Sequence, residues 1–147
     1  MTIQIAPTQL FHAAVHKMLL STVGGGIKVY DGNPFGTMTY PFLALHDLGG
    51  AAPTGPPMTG DGADVARMYQ LDAVGRKVAE AQELSDRARV RMVQSDDAGG
   101  FLYSVTVAGW RCAYRGTDLF LGLSAEGRAP KQVLVDRVRY LFRWTPA

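Results

Sequence analysis

Cysteine is nearly absent. Cys112 stands alone among 147 residues, so no disulfide forms within the chain. That points to a reducing compartment or to assembly inside a cell. Long apolar runs are missing too. No stretch of about 18 apolar residues occurs, and no membrane-spanning helix is expected. Residues 1–20 do not read as a secretory leader, because His12, His16 and Lys17 interrupt the apolar stretch. Strong net charge is also lacking. A formal +2 is modest for a dedicated nucleic-acid binder, and no helix-turn-helix, zinc or aromatic-stacking motif accompanies it.

What is present describes a globular chain. The apolar fraction is 47%, well outside the disordered range. The length suits one domain over residues 1–147. A chain of this size buries roughly 68–70% of its unfolded surface, enough to fold without metal or disulfide. Charge is unevenly placed. From Phe101 onward seven bases face three acids, leaving +4, whereas residues 61–100 hold eight acids and six bases. Separated charge of this kind suits contact between copies of a subunit, although mixed solvated faces have the same appearance.

Periodicity gives the elements. Leu10, Phe11, Ala14, Val15, Met18 and Leu19 form one apolar stripe, predicting a helix from Pro7 to Ser21 that stops at Gly24-Gly25-Gly26. Ile27–Asp31 reads as a short strand, followed by the turn Asp31-Gly32-Asn33-Pro34. Phe42–Leu48 is a nearly continuous apolar strand, interior to its sheet. The Gly/Pro-rich stretch Gly49–Gly62 predicts a long exposed loop. Asp64–Val74 reads as a strand with Val65, Tyr69 and Leu71 on one face. A second helix, Arg76–Met92, places Val78, Ala81, Leu84, Ser85, Ala88 and Met92 on one side, and Glu83 can pair with Arg87 across a turn. The last third is β in character. Phe101–Tyr114 alternates imperfectly. Lys131–Trp144 alternates well, with Leu134, Val138, Tyr140, Phe142 and Trp144 facing the core and Arg137, Arg139 and Arg143 facing away. The expected fold is α+β, two helices packed on a mainly antiparallel sheet.

No constellation for chemistry emerges. His12 and His16 have metal-ligand spacing, but the segment His-Ala-Ala-Val-His lacks the glutamate of a zinc protease, and no third ligand is evident. His46 and Asp47 are strand neighbours that point to opposite faces, unsuited to a catalytic relay. Cys112 lies near Arg111 and Arg115, which lower a thiol pKa, yet without a placed histidine it reads as a small hydrophobe. Gly24-Gly25-Gly26-Ile27-Lys28 lacks the Gly-Lys-Ser/Thr ending of a phosphate loop and leads into a strand. No catalytic residue, cofactor or metal is expected. The arginine face of Arg137, Arg139 and Arg143 is the candidate interface, its plain alternative being a solvated edge strand guarded by arginines.

The element order carries a resemblance. The helix Gln9–Leu20, then Val29-Tyr30-Asp31, the strand Tyr40-Pro41-Phe42-Leu43-Ala44-Leu45, and the strand Met68–Val74 running into the helix Val78–Met92 together resemble the tail terminator (tail-completion) proteins of long-tailed bacteriophages. The match covers about residues 7–92. Loop Gly49–Gly62 and region Phe101–Pro130 exceed the minimal members. The resemblance implies a non-enzymatic virion protein of the tail or neck, assembled in the host cytoplasm. It implies a homohexameric ring that caps the tail tube, stops its polymerisation and takes part in head–tail joining. The implied partners are further copies, the major tail tube protein and the head–tail connector, with DNA passing through the ring unread and no membrane. Another neck or tail component, such as a head-closure or tube protein, is the nearest alternative. A small ligand-binding or hydrolytic α+β domain is a third, and it requires His46, Asp72 and Cys112 around one pocket.

Overall fold

The computed structural model describes residues 8–22, 27–32, 34, 36, 38–51, 64–128 and 131–147. Helix α1 spans Thr8–Thr22, strand β1 Lys28–Asp31, β2 Phe42–Ala51, β3 Val65–Gly75, helix α2 Val78–Val93, β4 Trp110–Glu126 and β5 Val133–Pro146. The strands form a five-stranded sheet of order β1-β2-β3-β5-β4. β1 runs parallel to β2 and every other pairing is antiparallel. The fold is α+β, with two helices against a mainly antiparallel sheet, as the periodicity predicts. The glycine helix stop at 24–26, Pro7, Asn33 and most of the Gly49–Gly62 loop lie outside the described residues.

Both helices cover one face of the sheet. α1 contributes Phe11, Val15, Met18 and Leu19, and α2 contributes Leu84, Ala88 and Met92. They meet Leu43 and Leu45 of β2, Tyr69 and Leu71 of β3, and Val138, Tyr140, Phe142 and Trp144 of β5. The alternation of β5 is therefore read correctly. Two positions of the predicted helix stripes are corrected: Leu10 and Val78, each in the first turn of its helix, are exposed. Ala81, Ser85 and Ala88 are small and buried, which lets α2 lie close to the sheet.

Two boundaries differ from expectation. β2 continues through Gly49, Gly50 and Ala51, which pair with Met68, Arg67 and Ala66 past a register shift at Asp47/Gly49. Backbone pairing to a long β3 holds these small residues in the ladder. Residues 101–109 are not a strand. They form a connection tied by isolated bridges Ser95–Phe101 and Val107–Trp110, and Val105 and Val107 drop into the core. The strand begins at Trp110 and runs to Glu126.

The histidines of α1 are partly buried anchors instead of surface groups. His12 Nε2 lies 2.5 Å from the Asp31 carboxylate, and His16 donates from Nε2 to the Val29 carbonyl at 2.9 Å. Together they hold α1 to β1. Gly32 turns the chain out of β1 at φ +77°, a left-handed conformation that suits glycine, and its N–H reaches the Leu45 carbonyl at 2.8 Å.

Candidate functional site

Among the described residues no helix lies on the other face of the sheet. β5 presents Val133, Val135, Arg137, Arg139, Leu141 and Arg143 there, the last five in register with Val74, Asp72, Gln70, Met68 and Ala66 of β3. At one end a small second core forms from Phe42, Ala44, Val74 and Val135, covered by Tyr30, Met38 and Tyr40. Tyr40 precedes a cis peptide bond to Pro41.

Beyond that patch the face turns polar. His46 Nε2 lies 3.2 Å from Asp72 Oδ2, and the Gln70 side-chain amide donates to Asp72 Oδ1 at 3.0 Å. Arg137 Nε stands 3.6 Å from the same Oδ1. Arg137 donates from Nη1 to Ser124 Oγ at 3.0 Å and from Nη2 to the Glu126 carboxylate. That last hydrogen bond is the main reason its guanidinium titrates above its ordinary value. So Arg137 knits β3, β5 and β4 into one plate. Arg139 differs, because its Nε is buried without a hydrogen-bond partner. Arg143 lies opposite Ala66 on one side and Tyr114 on the other.

This arrangement corrects one reading. β5 is an interior strand with partners on both sides, so its arginines do not guard an edge. The edges of the sheet are β1 and β4. The structure also separates the residues that a hydrolytic pocket requires. His46 and Asp72 meet on the open face, whereas Cys112 pairs with Trp144 and packs into the helix-side core. Burial pushes the Cys112 thiol pKa up despite the nearby Arg115. Among the described residues no group of three or more His, Cys, Asp or Glu side chains is placed to hold a metal ion.

The β4 edge is the feature that sequence reasoning missed. Leu119, Phe120, Leu121 and Leu123 are all exposed, Phe120 to 59%, and Tyr114 joins them further along the strand. They lie on an outer strand whose second ladder is unpaired among the described residues. Exposed apolar side chains beside free N–H and C=O groups are what soluble proteins usually avoid on an edge. The register shifts at Cys112/Tyr114, Thr117/Leu119 and Phe120/Gly122. Each shift adds twist and re-aims the following side chains. Gly122 takes φ +82° at the last of them. The sequence signal was Leu119-Phe120-Leu121-Gly122-Leu123, an apolar run too irregular to assign to one face.

Nearly the whole chain matches a solved chain over nearly all of that chain's length. It is similar in fold to a chain from a structure titled "Virion of native gene transfer agent (GTA) particle". The TM-score is 0.57 at 18% identity, over 96% of this chain and 98% of the other. No family model and no curated protein matches the sequence. At that identity the likeness establishes the fold.

Proposed function

We propose that the protein is a structural component of a virion, acting as a tail terminator. In this reading copies join into a ring, a hexamer by the family resemblance. The ring caps the tail tube, stops its growth and presents the surface that the head–tail connector meets. The observation that carries the reading is the apolar outer edge of β4, beside an uncovered, arginine-bearing sheet face. A monomeric protein gains nothing from leaving Leu119, Phe120, Leu121 and Leu123 in water. A ring subunit needs two different surfaces that meet head to tail, and the β4 edge and the open face supply them. The likeness to a virion chain supports the same reading. The separation of Cys112 from His46 and Asp72 speaks against the hydrolytic alternative.

The test is assembly. Mass in solution by light scattering and negative-stain images are expected to show closed rings, and the rings are expected to bind the ends of purified tail tubes. A strictly monomeric protein that ignores tail tubes overturns the reading. Open helical tubes formed by the protein alone would favour the tube-subunit alternative.

A further inference from the structure

The seam between α1, the 94–109 connection and the start of β4 holds two adjoining cavities. One, of about 180 Å³, is lined by Lys17, Met18, Ser104 and Thr106 among others. The second, of about 300 Å³, shares Ser104 and Thr106 and adds Trp110, Arg111, Cys112 and Arg115. Among the described residues three cations and two hydroxyls line the seam, and no acid does.

Arg115 is the unusual member. Only 6% of it is exposed. Its guanidinium carbon stands over the Phe101 ring at 4.6 Å and the Phe142 ring at 5.4 Å. Nη1 reaches the Met18 sulfur at 3.5 Å, and Nε is buried with no hydrogen-bond partner. Among the described residues no carboxylate forms an ion pair with it. The Cys112 thiol is also within reach of the guanidinium, but burial raises its pKa more than Arg115 lowers it, so it does not serve as the counter-ion. Its Sγ donates to the Tyr114 carbonyl at 3.6 Å, as a protonated thiol does. Thioethers and rings are poor substitutes for a carboxylate. A guanidinium withdrawn from water is ordinarily paired, because its five donors otherwise lose their hydration without return.

We propose that this seam is a binding site for a carboxylate, carried on an aspartate or glutamate side chain of another polypeptide. Arg115 provides the fork that takes a carboxylate by two hydrogen bonds. Arg111 and Lys17 at the exposed rim draw the acid in, and Ser104 and Thr106 offer hydroxyl donors. Trp110 and Phe101 give the aliphatic stem an apolar wall. A single-stemmed side chain fits a cavity of this size. A phosphodiester, flanked by a sugar on each side, does not reach a guanidinium buried this deeply. The inference goes beyond the ring reading and does not need rings to form.

The experiment uses the full chain labelled with ¹⁵N. Acetyl-Gly-Glu-Gly-amide and its glutamine counterpart are titrated in, and the Trp110 indole and Arg115 Nε signals are followed. The glutamate peptide is expected to shift both saturably, and the glutamine peptide neither. Arg115→Met is expected to weaken binding by about tenfold or more. Should that variant fail to fold, Ser104→Glu serves instead. It places a tethered acid in the seam and is expected to raise the unfolding temperature and to exclude the peptide. Equal shifts from both peptides, no shift from either, or a lower unfolding temperature for Ser104→Glu overturns the proposal. Inorganic phosphate that shifts both signals while the glutamate peptide does not overturns it too. So does binding that appears only after Asp61→Asn, because Asp61 is the one aspartate or glutamate outside the described residues and would then be the chain's own anion. Ring formation is read separately by microscopy, so failure here leaves the ring reading intact.

Discussion

The Phe11 ring lies parallel to the Trp144 indole, with centroids 4.5 Å apart and planes 7° from parallel. The same ring meets Trp110 edge-on at 5.2 Å. One α1 side chain thereby joins β5 to the start of β4, and all three residues are buried. Phe11→Ala removes both aromatic contacts and leaves a cavity. The expected loss is about 3–5 kcal/mol, read as a lower urea midpoint with an unchanged slope. Leu10→Ala, one position earlier and exposed, is expected to change stability by under about 0.5 kcal/mol.

The edge of β4 gives a prediction with the opposite signature. Phe120→Glu combined with Leu123→Lys puts charges where apolar groups now face water. Stability of the monomer is expected to fall by no more than about 1 kcal/mol, because Phe120 keeps 59% and Leu123 38% of its surface in water. Assembly is expected to be lost, as measured by light scattering and negative-stain microscopy. Normal rings from this variant would clear the edge of any role in assembly.

The three outward arginines separate by what they touch. Arg137→Glu places a carboxylate against Asp72 and Glu126 and strips Ser124 of its donor. It is expected to cost about 2 kcal/mol of stability, so it cannot report on assembly alone. Arg139→Glu with Arg143→Glu is the cleaner probe. This pair is expected to block association while the thermal transition stays within a few degrees. Unimpaired association would show the two guanidinium groups to be solvated and nothing more.

Asp136 sits on the helix side of β5, where burial raises its carboxyl pKa more than the Ser85 hydroxyl lowers it, and Asp86 adds to the rise. A group raised in the folded state contributes stability below its unfolded pKa and loses it as pH climbs through the folded value. Wild-type stability is therefore expected to fall, relative to Asp136→Asn, as pH rises from the carboxylate range toward neutral. Urea midpoints of the two proteins across pH 3–7 check it. Curves that stay parallel would remove Asp136 as a source of pH dependence.

How much of this is visible in the sequence depends on whether a strand keeps its phase. β5 keeps strict alternation from Val133 to Trp144, so its core face, its arginine face and its length are legible. The α2 face is legible for the same reason, as is the Glu83–Arg87 pair at 3.0 Å. β4 is not, because each register shift resets the period of two, and Leu119-Phe120-Leu121 then fits no template. The extension of β2 through Gly49 and Gly50 is hidden differently. Glycine carries no side-chain signal for a strand, and only the partner residues of β3 hold it there. Arg115 is illegible for a third reason. Nothing in the string Tyr114-Arg115-Gly116 says that this arginine turns inward under Phe101 while its counterparts on β5 turn outward.

The small second core on the open face has a directional consequence. Phe42, Val74 and Val135 lie at one end under Tyr30 and Tyr40, His46, Gln70 and Arg139 cross the middle, and Met68, Leu141, Ala66 and Arg143 lie toward the other end. The face is therefore dry and aromatic at one end and polar from its middle, where His46, Gln70, Asp72 and Arg137 meet. A surface laid across it and turned end for end would set charge against aromatic rings and leave the guanidinium groups facing oil. Such a plate has a built-in direction, and a partner of the kind proposed above would meet it in one heading.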